Sequence, residues 1–399
     1  MILFLKMLIG IVGKANVGKS TFFKALTLAE AEIANYPFVT IKPNHGIGYV
    51  KVNCPDKEFN TACNPKTGYC IKHFRFVPVE LLDVAGLVPG AHLGKGMGFE
   101  FLDDLRQADA LIHVIDVSGS TNENGEPVNA GTYDPANDIK FLLNELDMWF
   151  YHIIKRGWDK FARQMQQEKL EPYKAIAQQL SGLKVTEDMI KECIKSFPDI
   201  KEWDDTILKR LASNLRKISK PMIIAANKID VKGALNNFKR LKEEFPDTIF
   251  VPCSAESELA LKEAAKQGFI EYVPGSNNFE VTGNLNEKQV KALNFIKEHV
   301  LDKLGTTGVQ DIINKIVFDV LDYIAVYPVP NSKLTDKDGN ILPDCFLIPK
   351  GSTVLDFAYR VHTDLGKNFI KAVDIKTKLV ISREHELKNN DVIEIISSK

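Results

Sequence analysis

The stretch Gly13-Lys14-Ala15-Asn16-Val17-Gly18-Lys19-Ser20-Thr21 constrains this chain more than any other, because few backbones accommodate it. It has the G-x-x-x-x-G-K-[ST] pattern of a phosphate-binding loop. The apolar run Met7–Val12 before it reads as a buried strand, and Thr21–Ala31 after it carries Phe22, Leu26 and Ala29 at helical spacing. In such a strand–loop–helix unit the backbone N–H groups of the loop converge on phosphate oxygens, and the helix N-terminus adds partial positive charge. Lys19 is expected on the β- and γ-phosphates and the Ser20 hydroxyl on Mg²⁺.

A nucleoside triphosphate follows from this loop; the base is read further on. Asn227-Lys228-Ile229-Asp230 follows the apolar run Pro221–Ala226, a second buried strand. A carboxylate at Asp230 can accept from N1–H and the 2-amino group of guanine, neither of which adenine offers. Asn227 is expected to bond guanine N7 and tie down the phosphate loop, with the Lys228 stem against the base. Val251–Ala255 reads as a strand ending in the turn Ser254-Ala255, whose Ala255 N–H is expected to meet guanine O6. Between these motifs, in Leu81-Leu82-Asp83-Val84-Ala85-Gly86, Asp83 sits at the end of an apolar strand and is placed to hold Mg²⁺ through water. The N–H of Gly86 is placed to touch the γ-phosphate. Upstream, Thr40 in Asn35–Thr40 is the expected hydroxyl ligand to Mg²⁺ from a first switch loop, ordered on the γ-phosphate and relaxed after its loss.

These residues resemble the translation-factor-related P-loop GTPases, and more narrowly the Obg/YchF-like family, in particular its archaeal members. Asn35-Tyr36-Pro37-Phe38 with Thr40 is similar to that family's first switch, and Asp83–Ala91 followed by Gly94-Lys-Gly-Met-Gly to its glycine-rich second switch. The likeness runs from residue 7 to about 256 in order and spacing, and a second likeness covers the C-terminal region. Better-known YchF-like ATPases have an altered base-reading motif, whereas Asn227, Lys228 and Asp230 are retained here, so the resemblance together with these residues implies GTP. The usual Thr-Thr pair of the first switch is Val39-Thr40, which leaves Val39 to packing.

Lys19, Thr40 and Gly86 are the expected catalytic groups. The residue after Gly86 is Leu87, where many signalling GTPases carry a water-orienting Gln. Leucine cannot hold water by hydrogen bonding, so slow unaided turnover is expected unless another group helps. His92 and Lys95 on the second switch are candidates, and each also reads as a solvated loop residue. Asn16 has two open readings. It either helps hold K⁺ against the phosphates, as similar asparagines do in potassium-activated GTPases, or makes a simple loop hydrogen bond.

The formal net charge of -1 gives no global electrostatic case for nucleic acid or membrane. The apolar opening is short, carries Lys6 and leads straight into the phosphate loop, so a first strand is expected rather than a leader. No run reaches the roughly 18 apolar residues of a membrane span. A cytoplasmic protein is expected, with a monomer favoured. Cys54, Cys63, Cys70 and nearby His73 offer four zinc ligands, but without the close C-x₂₋₄-C pairs of common structural sites. Reduced thiols on a β-ribbon insertion suit that spacing better. Cys253 reads as a small apolar strand residue.

The fold class expected is α/β: a P-loop G domain over residues 7–285, with a mainly parallel sheet covered by helices on both sides. Its ligand loops gather at the C-terminal ends of the strands. Ser118–Ala136 reads as a loop. A helical insertion over about 137–220, foreseen as an antiparallel helix pair, carries Ile139, Leu142, Leu143, Leu146, Trp149, Phe150 and Ile153 on one stripe. The insertion mixes Lys/Arg with Asp/Glu, which reads as a solvated face or, as the sharper alternative, an RNA contact; Trp149, Trp158 and Trp203 read as packing anchors rather than base-stacking platforms. Residues 257–322 are expected to be mostly helical with a polar break at Pro274–Asn286, so that 286–322 forms a helical connector. The last domain, 323–399, resembles the TGS domain, a ubiquitin-like β-grasp module. The stretch from Phe346-Leu-Ile-Pro-Lys-Gly to Arg360-Val-His362-Thr-Asp-Leu-Gly366 carries the likeness, with a helix expected over Ser352–Leu365. That resemblance implies RNA or ribosome contact. Charge adds nothing to it, since eleven basic residues face ten acidic ones there.

Overall fold

The computed structural model describes residues 7–28, 44–84, 104–168, 171–330 and 334–398. Strands β1 (Leu8–Val12), β2 (His45–Asn53), β3 (Tyr69–Ile71), β4 (Phe74–Asp83), β5 (Ala110–Asp116), β6 (Met222–Asn227) and β7 (Ile249–Pro252) make one sheet. Its order is β2-β4-β1-β5-β6-β7, with β3 also on β4. From β4 to β7 the strands run parallel, while β2 lies antiparallel along β4.

The two faces follow from the period of a strand. Ile9 and Ile11 pack with Phe22 and Leu26 of helix α1 (Lys19–Thr27). Leu8 and Val12 turn to the other face, against Leu146 and Phe150 of α2 (Ala136–Glu168). Helix α2 begins the insertion, followed by α3 (Pro172–Leu180), α4 (Glu187–Ile194) and α5 (Asp205–Ser219). The insertion is thus four helices rather than the expected pair, because polar turns cut the middle of the run. Trp149 and Trp158 are buried in it, and the Trp158 and Trp203 rings stack with centroids 5.3 Å apart.

Helices α6 (Ala234–Glu244) and α7 (Ala255–Lys266) complete the cover of the sheet. The polar break foreseen at Pro274–Asn286 instead contains β9 (Phe279–Val281), paired antiparallel with β8 (Ile270–Tyr272). Three-residue strands show no alternation to read. Helices α8 (Glu287–Ile296) and α9 (Val309–Lys315) each run on into a π-helical turn, and α9 buries Ile312 and Ile313 in the same core as α1.

The C-terminal sheet comprises β10 (Tyr323–Val329), β11 (Phe346–Pro349), β12 (Phe369–Asp374), β13 (Leu379–Ile381) and β14 (Val392–Ser397), in the order β11-β10-β14-β12-β13. Its central pair, β10 and β14, is parallel. Helix α10 (Val354–Val361) buries Val354, Phe357 and Ala358 on this sheet. The single helix expected over Ser352–Leu365 breaks at His362, whose extended backbone (φ −160°, ψ 138°) caps α11 (Thr363–Lys367). This domain docks on the β2–β4 edge, where fully buried Arg75 donates to the carbonyls of Leu342 (2.9 Å) and Pro343 (3.1 Å). Among the described residues no helix is long and apolar enough to cross a membrane.

His113, on β5 in the middle of the sheet, is buried with Nδ1 unpartnered. Desolvation, helped by the positive charge of Lys14, pushes its pKa down to about 3. The unfolded chain takes up that proton near pH 6.5, so stability is complete above 6.5 and is lost as pH falls toward the folded value. Wild type should lose about 1.4 kcal/mol more per pH unit than His113→Leu between pH 6.5 and 5, measured by chemical denaturation.

Candidate functional site

At the C-terminal ends of β1, β6 and β7 the loops line an open cavity of about 670 Å³. Its floor is the loop between β1 and α1. Gly13 (φ 156°) and Gly18 (φ 92°) are left-handed, and a Cβ at Gly18 would collide with Nδ2 of Asn227. Helix α1 begins at Lys19 with no side-chain cap and no acidic residue in its first turn. Its positive end therefore faces the cavity, where an anion is favoured. Ala15 and Asn16 are exposed on the loop, Val17 is buried beneath it, and Ser20 and Thr21 line the cavity. Lys19 Nζ pairs with the Asp83 carboxylate from the end of β4.

The base-reading motif is welded to this loop. Asn227 Nδ2 donates to Val17 O at 2.9 Å, while its Oδ1 accepts from Ala255 N–H at 3.0 Å. Tying down the loop was expected of Asn227; the Ala255 N–H, expected to be free for a purine oxygen, is instead held by Asn227. Lys228 is left-handed (φ 63°), and its Nζ reaches Asn16 O (3.1 Å) and Asp116 Oδ2 (2.9 Å). Its ammonium thus braces the phosphate loop, a role beyond the stem packing foreseen. Such backbone outliers persist where surroundings over-determine them, often at ligand clamps. Ser254 caps α7 through Ser257 N–H, a structural duty. Asp230 lines the cavity half-buried, and among the described residues its carboxylate has no hydrogen bond or ion pair.

Asp116, Asp138, Val231 and Glu256 went unnoticed in the sequence. Asp116 ends β5 buried; burial alone would raise its pKa, but hydrogen bonds from Ser118, Thr121, Lys228 and Ser120 outweigh that and hold it below the usual carboxylate value. Lys14 does not face the cavity alone. Its buried Nζ bonds Asp138 (2.9 Å) and Thr121 O (3.0 Å) and lies 3.8 Å from the centre of the Tyr133 ring. Val231 and Glu256 also line the cavity. Aspartate at the end of an apolar strand was the available signal for Asp116. Nothing local marks Asp138.

Asn16 Nδ2 donates to Gly125 O at 2.9 Å, the loop hydrogen bond of its two open readings. Thr40, Gly86, Leu87, His92 and Lys95 lie outside the described residues. Across the sheet edge, Cys54, Cys63 and Cys70 cluster, but the fourth donor among them is Asp56 and not His73. The imidazole sits one layer out, with Nδ1 3.0 Å from Asp56 Oδ1.

Replacing Asn227 by Ala leaves the buried Val17 carbonyl and the Ala255 N–H unpaired. Denaturant unfolding without ligand should show a loss of about 1–3 kcal/mol.

Comparison with known proteins agrees with this architecture. Models described as "50S ribosome-binding GTPase", "Obg-like GTPase YGR210-like, G4 motif-containing domain" and "TGS domain" match residues 8–145, 225–331 and 324–397. An uncharacterised GTP-binding protein of Methanocaldococcus jannaschii is 54% identical, over 98% of this chain and 99% of that one. The ribosome-binding ATPase YchF of Buchnera aphidicola is 27% identical, over 95% of this chain and 91% of its own. A crystal structure of a GTP-binding protein from Pyrococcus horikoshii OT3 superposes with a TM-score of 0.77 at 42% identity, covering 98% of this chain and all of that one.

Proposed function

The chain belongs to the YchF/Obg-like family of P-loop GTP-binding proteins with a C-terminal TGS domain, and from that premise we propose that it binds and slowly hydrolyses GTP as a switch acting on the ribosome. The observation that carries the choice of guanine is Asp230, a carboxylate without a hydrogen bond or ion pair among the described residues, in the cavity that also holds the phosphate loop. Guanine supplies two N–H donors to it; adenine would leave it desolvated and unpaired, a penalty worth roughly 10⁴-fold in discrimination.

Lys19 exchanges the Asp83 carboxylate for phosphate oxygens when nucleotide enters. The freed Asp83 and the Ser20 hydroxyl form an all-oxygen donor set that suits a hard cation, and with Thr40 they would hold Mg²⁺. Bound there, the ion neutralises charge on the phosphates. Asn227 and Lys228 keep the loop amides in place for that charge without reorganisation during reaction. With Leu87 after Gly86, no side chain at that position orients the attacking water, so turnover without a partner is slow.

The ribosome as partner rests on the TGS domain and on relatives named for ribosome binding. ATP is the competing substrate, since the Buchnera relative is named an ATPase.

Direct competition for the nucleotide-free protein should favour GTP over ATP, and Asp230→Asn should reduce that preference at least about 100-fold. Equal retention of the two nucleotides would overturn the assignment. Single-turnover hydrolysis should accelerate when ribosomes are added. Absence of hydrolysis with and without them would instead make the chain a GTP-liganded adaptor. Rates in KCl and NaCl decide whether Asn16 serves a potassium ion: a role requires faster turnover in KCl.

A further inference from the structure

Away from the nucleotide cavity, the segment from the end of β2 to the start of β4 gathers four metal-ligating side chains. One donor atom each from Cys54, Asp56, Cys63 and Cys70 lies within 4.8 Å of all the others. All three thiols are free. Zinc–thiolate bonds of about 2.3 Å give a tetrahedron with edges of about 3.8 Å, so the set closes on an ion by shifts within side-chain reach. We propose that Cys54, Asp56, Cys63 and Cys70 form a closed structural zinc site.

The backbone is already wrapped around these donors. Cys54 N–H donates to His73 O (2.8 Å) and Thr61 N–H to Asp56 O (3.0 Å). Asp56 is buried, with Oδ2 accepting from Cys63 N–H at 3.1 Å and Oδ1 facing His73 Nδ1 at 3.0 Å. A carboxylate ligand oriented by an imidazole is the mirror of the usual histidine ligand oriented by a carboxylate. The charge fits as well. Three thiolates and a carboxylate around a divalent ion leave net negative charge, and the fully buried Arg75 guanidinium lies beside them, Nη1 3.9 Å from Cys63 Sγ. Thiolate-rich tetrahedral sets select zinc over hard cations, and four protein ligands leave no open position for catalysis.

The site has a structural purpose. The loop it knots presents Asn64 N–H to Ile341 O (3.0 Å) and Lys66 N–H to Pro343 O (2.9 Å), and Lys376 of the C-terminal domain pairs with Glu58 (2.8 Å). The ion would fix the surface on which the C-terminal domain docks.

The test uses the full chain purified natively under reducing conditions. Elemental analysis should find about one zinc per chain, falling below about a tenth in Cys63→Ser and Cys70→Ser while Cys193→Ser on the helical insertion keeps it. Cobalt(II) added to chelator-stripped wild type should give thiolate charge-transfer and tetrahedral d–d bands, a readout that stands even where a serine variant does not fold. Wild type without zinc and without those cobalt bands overturns the proposal. So does a disulfide among the three cysteines of the native chain, or full zinc retention in both serine variants.

Discussion

Asn227 sits where three segments far apart in the chain must meet, donating to the phosphate loop at Val17 and accepting from the start of α7 at Ala255. Its carboxamide has one donor side and one acceptor side, so it can satisfy a carbonyl and an amide at once. Both partners are buried, which makes the pairing costly to break. Gly18 has no side chain because this amide occupies the space a Cβ would fill. Two motifs separated by some two hundred residues are thus a single mechanical piece, and the shape of the cavity follows from that contact.

Charge is handled by the same principle of mutual satisfaction. Lys14 and Arg75 bring positive charge below the surface, Lys228 half-buries its own, and each meets oxygen or sulfur acceptors set by a distant segment. Removing water from a cation is costly unless acceptors replace it, so these contacts specify which loops may approach one another. The hydroxyls of Ser118, Ser120 and Thr121 do for Asp116 what solvent would otherwise do. The polar turn following β5 is therefore a scaffold for the nucleotide loop as well as a connection.

The phosphate loop, the base-reading motif and the β-grasp domain were legible because each is a local spacing between residues of restricted chemistry. Alternating faces and helical stripes likewise placed the central sheet. The pairing of Lys14 with Asp138 was not legible: 124 positions separate them, and neither residue type is unusual where it stands. His73 was the fourth zinc ligand the sequence offered because it lies near Cys70, yet the turn carries it outward and leaves Asp56, two positions after Cys54, among the thiols. The β8–β9 hairpin escaped notice since strands of three residues carry too little pattern. The break at His362 came from backbone geometry within a run of good helical spacing.

The ammonium of Lys14, one residue into the phosphate loop, is anchored to the first turn of a helix 33 residues long. At 1.5 Å per residue that helix extends about 50 Å. The root of the helical insertion and the loop that floors the cavity thus share one buried ion pair.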